Sequence, residues 1–211
     1  MCFAYIGRSE IWKIMPLKKI LEDLCEIKSQ ICDYEFVVVT DDDENFKAIL
    51  GNELIESMAI RFLFNLKSSE LSTFLSQNVD LLFAMGTSIL EGSSLGIPSV
   101  LVDASFSELR SHYKYRWLYE SSEYVLGKLS LTENDIIIGH SMKEIVVNIT
   151  NENIKKEVAQ KCFDYTRENH SLENVAQKFV KYAKNTTLKK NDLSFVEKYF
   201  KIKNFFRRIL K

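Results

Sequence analysis

The residues best suited to chemistry lie between Phe83 and Pro98, in the segment F-A-M-G-T-S-I-L-E-G-S-S-L-G-I-P. Small residues follow a predicted strand there, and a helix is predicted to begin at Thr87 or Ser88. A helix N-terminus at the carboxyl end of a strand offers free N–H groups and the positive end of a dipole to an anion. Gly86 would let a phosphate approach the backbone, and the two hydroxyls would add donors. The segment therefore indicates phosphate recognition.

Glu91 lies about one turn inside the same helix, on the face that could reach a ribose hydroxyl. A purely structural interpretation is also open, in which Ser88 caps the helix and Glu91 completes a capping box. The spacing Ser88-x-x-Glu91 fits that box. The pattern alone leaves both roles open.

Two cations near the N-terminus form a second candidate group. Gly7 and Arg8 follow the apolar run 3–6, and Lys13 comes shortly after them. A planar guanidinium suits phosphate oxygens, and a lysine supplies a second point charge. The alternative is a solvated pair of cations at the end of a strand.

The candidate residues must be positioned by strands and helices, and the sequence shows short apolar runs that alternate with helical patterns. Strands are predicted at 3–6, 35–40, 60–64, 79–84 and 99–102, with short edge elements at 124–126 and 135–138. Helices are predicted at 17–31, 68–75, 89–95, 141–150, 154–167 and 171–184. Pro16 suits the first turn of the first helix, and Ser68 or Ser69 would cap the second. Residues 79–102 read as a right-handed βαβ unit, so we predict an α/β fold, a Rossmann-like doubly wound parallel sheet with a helical C-terminal region.

Composition narrows the class of protein. The chain has 211 residues, with 28 Lys plus Arg against 29 Asp plus Glu, and 46% hydrophobic residues. These values indicate a globular chain, and they exclude disorder and a protein that is basic overall and coats nucleic acid. The four cysteines show no C-x-x-C pair, which indicates reduced thiols in a cytosolic compartment. No apolar run is long enough to span a bilayer, and no secretory signal is evident, so we expect a cytoplasmic protein.

The near-zero net charge hides an asymmetry. Residues 189–211 carry eight basic and two acidic residues, a net charge of +6, and residues 1–188 carry a net charge of −7. We therefore predict two domains, a Rossmann-like domain at 1–188 and a basic amphipathic helix at 189–211. Apolar residues recur in the tail at helical spacing, namely Phe195, Tyr199, Ile202, Phe206 and Ile209. Residues 192–211 could bind an anionic membrane surface, or could pack on the domain or on one that is missing.

The segment G-T-S-I-L-E-G-S-S-L-G-I-P-S-V resembles the nucleotide-sugar-binding, C-terminal half of GT-B glycosyltransferases, of the family 4 (group 1-like) type that builds bacterial surface polysaccharides. The N-terminal Tyr5-Ile-Gly-Arg8 followed by Lys13 is similar to the Gly-Arg…Lys motif of that family. Asn169-His-Ser171 and the helix after it look like the family's closing helices. The resemblance covers roughly residues 3–184 and implies a single GT-B half.

The resemblance implies a role for each candidate residue. It assigns the diphosphate of the nucleotide sugar to Arg8 and Lys13, the phosphate-binding turn to Gly86, Thr87 and Ser88, and the ribose to Glu91. The substrate implied is a nucleotide-diphosphate sugar, UDP-linked in the first instance, with no metal and no other cofactor. Neutralising the leaving diphosphate would meet the charge that develops during glycosyl transfer.

Asp41 to Glu44 raise one competing possibility, because consecutive carboxylates after a strand could hold a divalent metal. They could equally begin a helix, whose dipole favours acids there. We prefer the helix, since the GT-B pattern downstream is better matched.

Two departures from the family matter. Many members carry another Glu eight positions before the helix Glu, where this chain has Phe83. A GT-B enzyme also has two similar domains, and this chain corresponds to the second only. We therefore expect the nucleotide-sugar-binding half of a retaining hexosyltransferase, with the acceptor half on a partner; a truncated gene product that binds the donor weakly and a domain of a longer protein are also open. If the tail binds lipid, the chain would attach peripherally to the inner face of the cytoplasmic membrane. The alternative is a non-catalytic nucleotide- or partner-binding module.

Overall fold

The computed structural model describes residues 1–30, 33–122, 124–129 and 138–187. Its strands are β1 (Cys2–Ile6), β2 (Glu35–Thr40), β3 (Arg61–Phe64), β4 (Leu81–Ala84), β5 (Ser99–Leu101) and β6 (Arg116–Trp117). They form one sheet in the order β3–β2–β1–β4–β5–β6. The first five strands are parallel, and β6 pairs antiparallel with β5. The strand order reverses between β1 and β4, which makes their carboxyl ends the topological switch point of the sheet.

Eight α-helices are described, and the predicted helices are confirmed with shifted ends. They are α1 (Ile11–Ile27), α2 (Glu44–Leu50), α3 (Asn52–Ser57), α4 (Ser68–Asn78), α5 (Thr87–Ser94), α6 (Met142–Thr150), α7 (Glu152–His170) and α8 (Leu172–Asn185). The chain divides into two compact units, Met1–Ser171 and Leu172–Lys211, and α8 belongs to the second. The predicted basic helix at 189–211 lies outside the described residues. None of the described helices is both long and apolar enough to cross a bilayer.

The core of the first unit is built on the central strands. Every residue of β1 and β4 is buried, as a parallel sheet covered on both faces requires. Among the helices of this unit, α1 packs on α2 and α6, α5 packs on α4 and α7, and α6 also contacts α7. The α/β fold class with a largely parallel sheet is therefore confirmed.

Pro16 does not lie in a first turn, as predicted, because α1 begins five residues before it at Ile11. The helix starts early because the carbonyl of Glu10 accepts the amides of Lys13 and Ile14 at 2.8 and 3.0 Å. A proline inside a helix leaves the carbonyl four residues back without its helical donor. That carbonyl belongs to Trp12, and the backbone amide of Ser105 donates to it at 3.0 Å. The proline thus frees an acceptor that a distant loop uses.

Two further local predictions need correction. Neither Ser68 nor Ser69 caps α4, because Lys67 is the N-cap and its amide donates to a carboxylate oxygen of Glu70 at 2.9 Å. Residues 124–126 do not form a strand. They make isolated backbone hydrogen bonds instead of a strand ladder, and the Leu126 carbonyl accepts the amide of Gly86 at 2.7 Å. Most of the edge element predicted at 135–138 lies outside the described residues.

Candidate functional site

A cavity of about 580 Å³ lies at the switch point of the sheet. The residues that follow β1, β2, β3 and β4 contribute to its lining, so the carboxyl ends of the central strands form its floor. Five of the six residues predicted from the sequence line it, namely Arg8, Lys13, Gly86, Thr87 and Ser88. The fold therefore brings together two segments that are far apart in the sequence, the turn from β1 to α1 and the turn from β4 to α5.

The first turn (residues 7–10) is held by side chains from its surroundings. The amide of Ser9 donates to Asp41 Oδ1 at 2.7 Å, and Asn45 Nδ2 donates to the Ser9 carbonyl at 2.9 Å. The hydroxyl of the buried Tyr5 donates to the carbonyl of Lys13 at 2.7 Å. These bonds fix the backbone that carries the exposed Arg8 and the half-buried Lys13, both of which line the cavity.

Lys13 is the more confined of the two cations. It is half-buried, and its Nζ lies 4.8 Å from the centre of the Trp12 ring. Burial lowers the pKa of Lys13 and the charge of Arg8 lowers it further, against the opposing influence of Glu10 and Asp41. Neither Arg8 nor Lys13 forms an ion pair with a described acidic residue. An anion bound between them would relieve their mutual repulsion and favour the charged lysine.

The second turn (residues 85–86) supplies backbone donors instead of charges. Gly86 is the N-cap of α5, with φ 63° and ψ −144°, a conformation that is essentially restricted to glycine. Its own N–H is already used by the Leu126 carbonyl, so it cannot bind a ligand. The amides of Thr87 and Ser88 belong to the first turn of α5, and no side chain caps that helix. An anion at this point would meet uncapped N–H groups and two hydroxyls.

The capping box proposed for Ser88 and Glu91 is wrong. Thr87 and Ser88 are already helical, and the N-cap position falls on Gly86. Since a capping box requires its serine at the N-cap, the spacing alone was misleading.

Glu91 is separated from the other five predicted residues. Its side chain is exposed and does not line the cavity at the switch point. It lies instead at a second cavity, of about 410 Å³, together with Phe163, Thr166 and Arg167 of α7. The ribose contact that the resemblance implies for Glu91 stays a prediction.

The acidic run after β2 is used by hydrogen bonds to its own loop, to the start of α2 and to the turn from β1 to α1. Oδ1 of Asp41 accepts the Ser9 amide and the hydroxyl of Thr40, and Asp42 Oδ1 accepts the Glu44 amide at 2.8 Å. Desolvation alone would raise the pKa of Asp41, but these hydrogen bonds outweigh it and lower the pKa. In the described ranges, no three His, Cys, Asp or Glu side chains are grouped so that they could hold a metal ion.

One side of the cavity is formed by residues 124–129, here called the wall segment, part of which was predicted as an edge element but without a role in the site. Leu126 and Gly127 line the cavity. A Cβ at Gly127, where φ is +113°, would lie 2.8 Å from the Val102 carbonyl oxygen, so only glycine allows the segment to lie this close to the end of β5. The Ala104 amide donates to the Lys128 carbonyl at 2.8 Å.

Asp103 anchors the wall segment. Its buried carboxylate accepts the amide of Lys128 at 2.8 Å and the hydroxyl of Tyr113 at 3.1 Å. Nη2 of Arg116 donates to both carboxylate oxygens, at 2.7 and 2.9 Å. Sequence reasoning missed this residue because its partners come from three different loops or strands, and the only local signal was an acid directly after an apolar strand.

Other lining residues were also missed. Trp12, Leu66 and Leu71 give the cavity apolar surface, and Asn65 adds a polar one. Asn65 has φ 51°, and its Nδ2 donates to the Asp41 carbonyl at 3.1 Å. A polar residue followed by a leucine directly after β3 was the only available signal.

Phe83, at the position where the resembled family carries a Glu, belongs to the core. It is fully buried in β4, with its ring 6.4 Å from the rings of both Phe36 and Tyr115. It does not line the cavity. The aromatic side chain at this position therefore stabilises the sheet and contributes nothing to the site.

Several solved structures are similar to this chain. They include a glycosyltransferase from Rickettsia africae ESF-5, with a TM-score of 0.55 and 17% identity. A variant of S. aureus TarM in complex with fondaparinux, α-GlcNAc-glycerol and UDP has a TM-score of 0.53 and 14% identity. A GtfA/B complex has a TM-score of 0.52 and 12% identity. No protein-family model matches the sequence, and no curated protein matches it. The similarity supports a GT-B-like fold.

The similarity extends over most of this chain but over half or less of each other chain. It covers 88%, 85% and 86% of this chain, and 48%, 34% and 35% of the Rickettsia, TarM and GtfA/B chains. The chain spans about half the length of the first of these proteins and about a third of the other two.

Proposed function

We propose that the cavity at the switch point binds a nucleotide-diphosphate sugar. The observation that carries the proposal is the meeting of Arg8 and Lys13 with the uncapped N-terminus of α5 in a single cavity. Two cations and the N-terminal amides of α5, those of Thr87 and Ser88, match the oxygens of a diphosphate. Neither cation forms an ion pair with a described acidic residue. The apolar surface of Leu66 and Leu71 offers a place for the base.

The chemistry proposed is glycosyl transfer with retention of configuration. The bond between the sugar's anomeric carbon and the diphosphate oxygen breaks, and a bond to an acceptor hydroxyl oxygen forms. Negative charge grows on the leaving diphosphate, and Arg8, Lys13 and the α5 amides would stabilise it there. These groups supply the charge stabilisation that a metal would otherwise give, so the proposal includes no metal.

UDP is the nucleotide that we propose first. The structure of TarM, whose fold is similar, contains UDP.

The acceptor is proposed to be a surface glycan, bound by a second domain that belongs to a partner or to a longer chain. The base that takes the proton of the acceptor hydroxyl would come from that domain. We further propose a cytoplasmic location, with peripheral membrane attachment through residues 192–211, a segment outside the described residues.

A second candidate function is nucleotide or partner binding without transfer. Burial of Phe83 favours it, because the side chain at that position cannot contact a transferred sugar. As a nucleotide-binding module, the chain would use the same diphosphate site as the transferase and would differ from it only in turnover; as a partner-binding module, it would not need that site.

Isothermal calorimetry with UDP tests the shared site. We expect the parent chain to bind. The double variant Arg8→Ala/Lys13→Ala should lose at least about 100-fold in affinity, since two charged hydrogen bonds of about 1.5–3 kcal/mol each amount to about 3 kcal/mol or more. Arg61→Ala is the matched control, because Arg61 pairs with Glu35 at the opposite ends of the strands. The absence of heat with any nucleoside diphosphate would refute the transferase and the nucleotide-binding module, and would leave only partner binding.

Two additions separate the alternatives within the proposal. If Glu91 holds the ribose, Glu91→Ala should weaken the binding of UDP but not that of inorganic diphosphate. Equal UDP affinities of Glu91→Ala and the parent chain would show that Glu91 lies outside the site. EDTA should leave the heat of binding unchanged, whereas loss of binding on chelation would restore the metal interpretation of Asp41 to Glu44. Release of UDP from UDP-sugars in the presence of an acceptor-domain protein would favour the transferase over the binding module.

A further inference from the structure

Helix α8 exposes an apolar face that spans close to half of its circumference. At 100° per residue, Leu172, Val175, Phe179, Val180 and Tyr182 lie within one continuous arc. Three of these side chains are largely exposed, Leu172 to 86%, Phe179 to 72% and Tyr182 to 69%. None of the described residues of α8 is a buried one. Exposed apolar surfaces of this width are typical of sites that bind a protein or a membrane.

The opposite face of α8 carries only cations as charged groups beyond the first turn. Lys178, Lys181 and Lys184 lie there, and the single acid, Glu173, belongs to the first turn. Lys181 and Lys184 are exposed. Low overall hydrophobicity, a wide apolar face and lysines on the polar face are the features of helices that lie flat in a membrane interface.

The charge of the surrounding sequence favours lipid over protein as the occupant. Residues 189–211, which follow α8 closely, add a net charge of +6, whereas residues 1–188 carry −7. Positive charge is thus concentrated at one end of an otherwise acidic chain. A surface that attracts this end must be anionic, and each lysine close to an anionic bilayer strengthens attachment. Two copies that met through α8 would bring their two clusters of cations close together, so repulsion would oppose that contact.

We infer that α8 is an interfacial helix that binds the surface of an anionic lipid bilayer, with Leu172, Phe179 and Tyr182 inserted among the lipids. Aromatic rings such as those of Phe179 and Tyr182 suit the boundary between headgroups and acyl chains. This surface is distinct from the segment 192–211 and does not depend on nucleotide binding.

Vesicle co-sedimentation of the full chain tests the inference. Two lipid compositions are compared, pure phosphatidylcholine and equal parts of phosphatidylcholine and phosphatidylglycerol. The parent chain should bind the anionic vesicles only. Leu172→Glu/Phe179→Glu should reduce the partition coefficient at least about tenfold, and neutralising Lys181 and Lys184 with Gln should reduce it about fivefold for each lysine. Val147→Glu, at a 52% exposed position of α6, is the matched control and should bind as the parent does.

The remaining outcomes would overturn the inference. If the parent chain binds anionic vesicles but Leu172→Glu/Phe179→Glu binds them equally well, another segment is responsible. If the parent chain binds no vesicles, and light scattering shows that it self-associates while Leu172→Glu/Phe179→Glu does not, the face is a protein contact. UDP calorimetry on the same variants should give unchanged heats, so failure of the membrane inference and failure of the nucleotide proposal are distinguishable.

Discussion

The turn from β1 to α1 and the turn from β4 to α5 deliver different groups to the same cavity. The first turn brings the charges of Arg8 and Lys13, and hydrogen bonds to Ser9 from neighbouring loops hold its backbone. The second turn brings uncapped amides, and its backbone is held by a glycine conformation and by one hydrogen bond to Leu126. Side chains thus fix the charged turn, whereas backbone groups fix the neutral one.

This difference predicts different sensitivities. The charged turn should lose ligand affinity when its cations are removed, without loss of fold. The neutral turn should respond to changes in the backbone that supports it, including changes in the wall segment, and should lose stability and ligand affinity together.

Asp103→Asn should have the largest effect. It removes the charge that compensates Arg116 in a site where the two side chains are only 9% and 16% exposed, so the free energy of unfolding should fall by about 3–5 kcal/mol. The wall segment would lose its anchor, and UDP affinity should fall as well. Urea denaturation and calorimetry measure the two effects. Asp80→Asn is the control, because Asp80 also accepts a backbone amide and a lysine but lies at the opposite end of β4. If Asp103→Asn and the parent bound UDP with equal affinity, the wall segment would have no role in UDP binding.

Gly86→Ala should have a smaller effect. No atom lies within 4 Å of the added Cβ, so the cost is the backbone strain at φ 63°, about 1–3 kcal/mol. The turn would relax and move the amides of Thr87 and Ser88 away from the ligand. Gly51→Ala is matched, since Gly51 has φ 78° and equally open space. Both variants should unfold at lower urea concentrations, but only Gly86→Ala should bind UDP more weakly. Parallel losses of UDP affinity in both variants would show that the second turn has no special role.

The pH dependence of UDP binding should show the smallest effect, and it concerns the charged turn. Because the pKa of Lys13 is lowered, this side chain loses its charge at a lower pH than an ordinary lysine. UDP affinity should therefore fall as the pH rises through the lowered pKa of Lys13, by about tenfold in all for the loss of one charged hydrogen bond worth about 1.5 kcal/mol. In Lys13→Arg the profile should be flat, since arginine keeps its charge.

Unfolding does not explain such a fall. The folded chain releases the Lys13 proton before the unfolded chain does, so this group by itself adds stability as the pH rises between the two pKa values. Identical pH profiles for the parent and Lys13→Arg would assign the titration to another group.

Much of the fold could be predicted because its signals are local. The apolar runs of β1, β2 and β4 and the spacing of α6 and α7 are periodic patterns that tertiary contacts reinforce. The two-residue β6 escaped prediction because it is set only by its pairing with β5. Capping was mispredicted at Ser88 because Gly86 takes the N-cap position.

The residues of the candidate site likewise fall into those that local sequence signals identify and those that depend on tertiary contacts. Arg8 and Lys13 could be identified from residue type and spacing, and the cavity brings them beside Gly86, Thr87 and Ser88. The wall segment and Asp103 could not be identified, because their role depends on hydrogen bonds between residues distant in sequence. The exposed position of Glu91, apart from the cavity, depends on how α5 packs against α7, which a one-dimensional pattern does not contain.

The proline inside α1 has a consequence for variation among related sequences. An N–H at position 16 would share the Trp12 carbonyl, which at present accepts the amide of Ser105. Substitutions at Pro16 and in the loop around Ser105 are then not independent, although these residues are far apart in the chain. Where homologues lose this proline, the loop after β5 should change with it, and such covariation would mark the contact without any structure.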